Sequence, residues 1–349
     1  MRKFLLSLTL FSLFTGMLAA SDYPPPGGGN LFLFGHPALI SSANSAAGGP
    51  IFSVGPYSIN SNPALAAGLK FPSADIACNV LIDTYDGRPG SALRLGGSLP
   101  TRWGVWTAAA QASFVELNSM PIGNTFIGRG GFARDISENL YLGVSLSAGG
   151  LWYDDSSDFY FAGDIGIWYR IRQFSFLKNI RFGAALQNLG KTFYKYGPYG
   201  VKYDMGFPGF IEPKFGIAAN FVETANFTLG LSADVSFPLF SNFIFSSGVQ
   251  FFIAKLVYVS AGWDFNAREA DKDYGIHSPY IGVGVKFSLN TSGNKLMNSH
   301  DFNQTDIKAD TVWQSLHKHT QLFSVGATAN FGTQHIPPPE IKVGNIGYQ

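Results

Sequence analysis

Six basic residues are the strongest candidates for a binding site, because of where they fall in the sequence pattern. Each lies in a stretch that alternates apolar with small or polar residues, and each falls on the small, polar side: Arg94, Arg129, Arg170, Arg181, Lys214 and Lys286. Asp164, Asp234 and Asp264 fall on the same side. Such cations can bind the carboxylate of an apolar ligand, because an unpaired anion in an occluded pocket is costly. They can equally pair with the acidic residues and brace a wall, and the sequence leaves both interpretations open.

The sequence offers little for catalysis. None of the histidines lies on a strand face beside a serine that could act as a nucleophile. The six histidines are His36, His277, His300, His317, His319 and His335. His317 and His319 alternate in a polar stretch, which is more typical of solvated side chains than of a metal site. The glycine-rich PPPGGGN follows no strand and opens no helix, so a phosphate loop is not supported. We therefore expect no catalytic residue, no cofactor and no metal, and a protein that is not an enzyme.

The start of the chain has the pattern of a secretory signal peptide. Arg2 and Lys3 precede an uncharged apolar run, which Ala19 and Ala20 end before polar residues begin. The run is too short and wrongly flanked for a stable membrane span. We expect residues 1–20 to be removed on export. The only cysteine, Cys78, excludes an internal disulfide framework.

The composition excludes most other classes of protein. Only 13% of the residues are charged, whereas the chain contains 41 glycines and 32 phenylalanines. A water-soluble domain usually carries about 25% charged residues, so this surface does not face water everywhere. After the signal peptide no apolar run is long enough for a membrane helix. The formal net charge of +1 gives no support for nucleic-acid binding.

From about Ser73 onward, the chain has the period of β-strands. In NLYLGVSLS, residues 139–147, every second residue is apolar and the others are mostly small and polar. A soluble sandwich would place charge on its outer face, but here the polar face is mostly Gly, Ser, Thr and Asn. A transmembrane barrel has the opposite arrangement, with apolar residues toward lipid and polar ones toward the lumen. We therefore predict an all-β fold, an antiparallel transmembrane β-barrel.

The strand count predicts fourteen strands. Thirteen alternating segments are visible, but a closed antiparallel bacterial barrel needs an even number. The missing strand is placed in the polar stretch 290–321, around TVWQSLHKH, with a strand after Pro337 as the alternative. Because short turns belong to the periplasmic side, the first strand is expected to run outward. The predicted division is a barrel over residues 73–333 and a tail over 334–349.

The residues before the barrel are predicted to fill its lumen. Residues 21–72 are rich in Gly, Pro, Ser and Asn and are too numerous and too apolar for a solvated tail. Within them, Pro63 fixes its own φ and favours an extended Asn62, whose side chain can bond nearby backbone. The plainer interpretation is an Asn-Pro turn that leads into the first strand.

SNPALAAGL, residues 61–69, resembles the Asn-Pro-Ala segment in the N-terminal hatch of FadL-type outer-membrane transporters of long-chain fatty acids. The chain is also similar to the FadL-like paralogue group of treponemes and to PorV-type barrels, through segments at 181–190, 208–221 and 248–265. The resemblance implies fourteen strands, a hatch on the periplasmic side and passage of hydrophobic ligands. It assigns Asn62, Pro63 and Ala64 to the hatch motif. The chain departs from the family by continuing past the last strand through HIPPPEIKVGNIGYQ.

Two functions are therefore expected as alternatives. The first is outer-membrane uptake of long-chain fatty acids or similar hydrophobic molecules by a monomer surrounded by lipid. The second is a PorV-like scaffold that holds secreted or surface proteins and moves no ligand. The third predicted strand has the least regular alternation and many small residues, and a local distortion that opens the wall sideways is expected there.

Overall fold

The computed structural model describes residues 34–84, 87–117, 121–153, 156–191, 193–196, 202–204, 211–240, 242–271, 278–290, 304–317 and 319–332. The predicted signal peptide, the first part of the expected hatch and the expected tail lie outside these residues. So does the alternative strand after Pro337.

Sixteen strands are present in the described residues, and fourteen of them form a closed antiparallel barrel. The strands are β1 (Ser73–Asp83), β2 (Pro89–Thr101), β3 (Gly104–Glu116), β4 (Pro121–Asp135), β5 (Leu140–Tyr153), β6 (Ser156–Phe174), β7 (Leu177–Lys191), β8 (Tyr194–Tyr196), β9 (Lys202–Asp204), β10 (Glu212–Glu223), β11 (Phe227–Ser236), β12 (Ile244–Ile253), β13 (Val257–Asn266), β14 (Ser278–Asn290), β15 (Gln304–His317) and β16 (Thr320–Phe331). β8 and β9 pair only with each other. The prediction of a fourteen-stranded barrel is confirmed.

The barrel closes where the last strand meets the first. β1 pairs with β16 from Ser73 opposite Asn330 to Asp83 opposite Thr320, so neither strand leaves a free edge at the seam. Closure gives each barrel strand a hydrogen-bonded neighbour on both sides. A lipid environment requires this, because it offers no water to pair with free backbone groups. The strand missing from the sequence count is β15, which begins at Gln304 and includes most of TVWQSLHKH. Its predicted location is correct.

The two faces of the wall follow the alternation in the sequence. On β14, Ile281, Val283 and Val285 are exposed on the outside, whereas Tyr280 and Gly282 are buried on the inside. The same pattern runs around the barrel and gives an apolar outer band and a polar inner surface.

Antiparallel order places the connections at two distinct ends. The turns after β2, β4, β6, β10 and β12 lie at the end where β1 begins and β16 finishes, which we call the turn end. The connections after β1, β7 and β13 lie at the opposite, loop end. The short connections after β2, β4, β10 and β12 are therefore at one end and the longer ones after β1, β7 and β13 at the other. The side of the membrane that each end faces stays a prediction.

β3 is regular, contrary to the expected distortion. It pairs with β2 from Thr101 opposite Gly104 to Ser91 opposite Phe114 without a shift, and with β4 up to a single irregularity at Val115/Glu116. Ala108, Ala110 and Ala112 lie on its outer face, whereas Ala109 and Ser113 lie on its inner face, and its pairing with both neighbours is continuous. Register shifts lie instead between β6 and β7 at Gly163/Ile165 and along β10 near Asn220.

Residues 34–72, here named the lumen segment, lie inside the barrel. They contain α1 (Pro37–Ser41) and two 3₁₀ helices, Pro56–Asn60 and Pro63–Gly68, and most of their side chains are buried. At the loop end, α2 (Ala267–Asp271) follows β13. Among the described residues no helix is long and apolar enough to span a membrane.

Candidate functional site

Asn62 ties the lumen segment both to itself and to the wall. Its side-chain oxygen accepts a hydrogen bond from Ala64 N at 3.0 Å and so caps the second 3₁₀ helix, with Pro63 at the first helical position. Its amide group donates to Ala46 O at 2.8 Å and to Ile167 O of β6 at 3.0 Å. The Asn-Pro-Ala turn is therefore a packing element of the lumen, and more than a lead into β1.

Inward-facing glycines form the seat on which this turn rests. A Cβ added at Gly166 would collide with the Asn62 side-chain oxygen, and one at Gly143 would collide with the Ala64 backbone. Gly183 and Gly230 are equally close to the carbonyls of Ala46 and Pro50. The absence of side chains at these positions lets the segment approach the wall, a role that the sequence did not reveal.

Three of the predicted cations clamp the lumen segment. Arg94 pairs with Asp75 at 2.5 Å and donates to Pro56 O at 3.2 Å. Arg129 donates to Ile59 O at 3.0 Å.

Arg181 completes the clamp from β7. Its guanidinium donates to Gly49 O at 2.7 Å and Pro50 O at 2.9 Å and lies 5.3 Å from the centre of the Phe52 ring. All three arginines are buried. Their guanidinium groups donate to backbone carbonyls of the lumen segment, and those of Arg94 and Arg129 also approach carboxylates.

The predicted acidic residues belong to the same polar layer. Asp164 lies 3.5 Å from Arg129 and accepts from Ser145 Oγ and from Asn188 N. Asp234 accepts from Ala46 N at 2.7 Å.

Three further predicted residues lie around this layer. Asp264 accepts from Gln314 at 3.2 Å. Lys214 is buried among the charges of Glu212 and Asp234, and Arg170 is half-buried opposite Arg181 in the β6–β7 ladder. We call these inward-facing charged residues the ionic layer.

Replacing Arg94 by alanine is expected to destabilise the protein by about 3–5 kcal/mol, because Asp75 would be left buried without its cation. Denaturant unfolding of the folded barrel in detergent or lipid measures this loss. Arg134→Ala, which removes an exposed arginine from the same half of the barrel, should have little effect. Equal stability of the two variants would contradict the clamping role.

His36 caps the N-terminus of α1, near the start of the lumen segment. Its Nδ1 accepts from Ala38 N at 3.1 Å, and its ring stacks on Tyr57 with centroids 4.7 Å apart. Burial, reinforced by the charges of Arg94 and Lys308, holds the pKa of His36 well below its usual value of 6.5. The imidazole is therefore neutral in the folded protein.

This depressed pKa predicts a loss of stability in acid. Below about pH 6.5 the unfolded chain takes up a proton that the folded protein refuses, so stability falls with a slope of up to about 1.4 kcal/mol per pH unit. Unfolding measured from about pH 7.5 down to 5.5 tests this. His36→Asn keeps a capping oxygen but cannot titrate, and it should remove His36's share of the slope. An unchanged slope would show that other groups set it.

A cavity of about 360 Å³ lies at the turn end, between the lumen segment and the wall formed by β12–β16. Its surface is mainly apolar and aromatic, with Phe52, Val54, Phe252 and Tyr258 among the lining residues. Volumes of about 300–1,000 Å³ are typical of small-molecule sites.

Three lysines line this cavity, one of which is the exposed Lys70. We name it the two-lysine cavity after the other two, Lys286 and Lys308. Lys308 Nζ donates to Ser53 Oγ at 2.9 Å, lies 4.4 Å from the centre of the Tyr258 ring and is 3.7 Å from Asp310. Lys286 lies at the mouth with 44% of its side chain exposed, 3.4 Å from Asp306. An apolar pocket with two ammonium groups suits a molecule that has an anionic head and an apolar body.

Lys286 was among the predicted cations, whereas Lys308 was missed because β15 was the unassigned strand. A usable signal was present. In DIKADTVW, residues 306–313, Ile307, Ala309 and Trp313 form an apolar face opposite Asp306, Lys308 and Asp310.

Toward the loop end, the interior becomes apolar. Leu81, Val115, Leu151, Phe193 and Leu322 belong to one buried cluster beyond the ionic layer. From the loop end to the turn end, the lumen therefore has an apolar layer, the ionic layer with the lumen segment, and the two-lysine cavity. In the part of the chain that the structure describes, no group of three or more His, Cys, Asp or Glu side chains is placed to hold a metal ion.

Comparisons with known proteins agree with this architecture. No family model matches the chain, and no curated protein matches its sequence. A Pseudomonas aeruginosa FadL homologue and the Pseudomonas putida toluene transporter TodX are similar in structure, each with a TM-score of 0.51 and 10% identity over 90% of this chain and 100% of the other. The chain has a FadL-like barrel fold. A deltaS2S3 mutant of TodX, described as a monoaromatic hydrocarbon channel, also gives 0.51 and 10% identity, over 80% of this chain and 95% of its own.

Proposed function

We propose that this protein takes up hydrophobic small molecules across the bacterial outer membrane. The observation that carries the proposal is the apolar cavity in contact with the lumen segment, at the far side of the ionic layer from the apolar loop end. A ligand that partitions into the apolar layer would reach the cavity once the segment shifts. In this proposal residues 1–20 direct export, residues 21–72 act as the hatch, and the barrel works as a monomer.

The FadL-like fold supports this proposal because similar barrels carry hydrophobic molecules. Two of these similar structures are a toluene transporter and a mutant of a monoaromatic hydrocarbon channel. The buried charges inside the barrel form ion pairs with one another, as Arg94 does with Asp75 and Arg129 with Asp164. Such pairs suit packing of the lumen rather than catalysis.

The finer proposal is that the ligand is a long-chain fatty acid or a similar anionic amphiphile. Toluene carries no charge and could not form an ion pair with Lys286 or Lys308. A carboxylate at the mouth of the cavity could pair with their ammonium groups. The acyl chain would pack against Phe52 and Phe252. In this proposal Arg94, Arg129 and Arg181 hold the hatch and the two lysines select the head group.

Native mass spectrometry of the refolded barrel tests both levels of the proposal. The ligands are palmitate, hexadecanol and toluene, which share apolar character but differ in charge and length. The proposal predicts stoichiometric binding of palmitate, weaker binding of hexadecanol and the weakest binding of toluene. Equal binding of palmitate and hexadecanol would remove the anionic head from the proposal. Failure of all three to bind a heat-modifiable barrel would favour the PorV-like scaffold.

A further inference from the structure

Exposed basic residues lie beside exposed apolar residues in several turns at the turn end. In the turn after β2, the Arg102 guanidinium lies 4.8 Å from the Trp103 ring centre, and Trp103 is 59% exposed. At the end of β6, Arg172 has a side chain that is 79% exposed. Phe174, the last residue of β6, is 70% exposed, and Phe176 in the turn is 68% exposed. Such apolar exposure is unfavourable in water.

The pairing recurs around the barrel. Lys255 adjoins Leu256 in the turn after β12, and Leu256 is 47% exposed. Exposed Arg134 precedes Ile136 after β4, and exposed Lys70 precedes Phe71 just before β1. We call these residues the turn ring. The turn ring includes the strand ends beside the turns. Among its described residues, exposed Phe221 near the end of β10 has no exposed basic residue beside it.

The charge of the turn ring is unbalanced. Among the described residues of these turns, five exposed side chains are basic and three are acidic: Lys70, Arg102, Arg134, Arg172 and Lys255 against Asp135, Glu138 and Glu223. Arg172 and Glu138 approach only to 3.8 Å in a solvent-exposed pair, which neutralises little. The ring therefore presents net positive charge directly beside apolar side chains.

We propose that the turn ring is a binding surface for phospholipids with a net negative head group. At the boundary of a leaflet the apolar side chains enter the acyl region, while the adjacent cations contact phosphate oxygens. Recurrence around the circumference fits a leaflet, which surrounds the barrel, better than a protein partner, which would contact one side. The charge imbalance selects anionic head groups over zwitterionic ones.

Each Lys or Arg near an anionic membrane surface raises the affinity for that surface by about fivefold. This factor sets the loss of lipid preference that we expect when a cation is removed. The variant Arg102→Gln/Lys255→Gln removes two of the cations and keeps their apolar neighbours. Arg88→Gln/Arg268→Gln makes the same change in charge at the loop end. All three proteins should fold, because the four exchanged residues lie in turns, in the connection after β1 and in α2, and none belongs to a barrel strand.

The test is native mass spectrometry of barrels released from vesicles that contain phosphatidylglycerol and phosphatidylcholine in equal amounts. We expect the wild-type protein and the loop-end variant to retain phosphatidylglycerol preferentially. The turn-end variant should lose about 25-fold of that preference, since the two contributions multiply. Preferential retention that persists in the turn-end variant would overturn the proposal, and so would an equal loss in the loop-end variant. The result is independent of whether a ligand binds the cavity.

Discussion

Gly166→Val is expected to dislodge the lumen segment and make the barrel leak ions. The new side chain would occupy the place of the Asn62 amide oxygen, which already contacts the glycine. Overpacking of a tight interior costs about 1–3 kcal/mol. That cost corresponds to a shift of about 5- to 150-fold between a seated and a displaced segment. Ion conductance across a planar bilayer should therefore rise by a similar factor.

Gly130→Val is the matched control for this experiment. Gly130 lies on β4 with its missing side chain directed outward, and a Cβ there would meet no heavy atom within 4 Å. Valine is also favoured in strands, so both variants place a suitable residue in the wall. A rise in conductance with Gly166→Val alone supports the seat. Equal conductance of both variants and the wild type would show that the segment tolerates the side chain and that the glycine seat is unimportant.

Lys308→Gln is expected to weaken palmitate binding by about 10- to 150-fold. A hydrogen bond to a charged group contributes about 1.5–3 kcal/mol, and glutamine removes the charge while it keeps a polar side chain of similar length. Lys308 is the more enclosed of the two lysines, with 16% of its side chain exposed. Its charge is therefore less screened by water than that of Lys286.

A neutral ligand separates loss of charge from damage to the pocket. Hexadecanol has the same chain but no carboxylate, so its affinity should change little in Lys308→Gln. Lys178→Gln, which alters a lysine of β7 outside the cavity, should affect neither ligand. Parallel losses of palmitate and hexadecanol binding would mean that Lys308 maintains the shape of the cavity and does not recognise the head group.

The wall of the barrel could be predicted because it depends on a local pattern. On β14, each side chain's face is fixed by its position in the strand, so Ile281 and Val283 face outward and Lys286 faces inward. The same rule places the other five predicted cations on the inner face. β15 was harder, because Asp306, Lys308 and Asp310 made the stretch look like a polar loop.

Contacts across the lumen could not be predicted in the same way. Alternation shows that Arg94 faces inward, but its choice of Asp75 and of the Pro56 carbonyl depends on how a segment without regular alternation folds inside the barrel. Gly166 and Asn62 are about 100 residues apart and are joined only by tertiary packing. The two-lysine cavity likewise exists because Ser53 and Phe52 are held opposite β13 and β15.

A crystal structure of the barrel with palmitate brominated at its terminal carbon tests the central claim most directly. The anomalous signal of bromine locates the end of the chain, and the electron density locates the head. The account predicts a carboxylate within hydrogen-bonding distance of Lys286 or Lys308, with the chain against Phe52 and Phe252. A carboxylate bound to Arg94, Arg129 or Arg181 instead, or an empty cavity at saturating ligand, would contradict it.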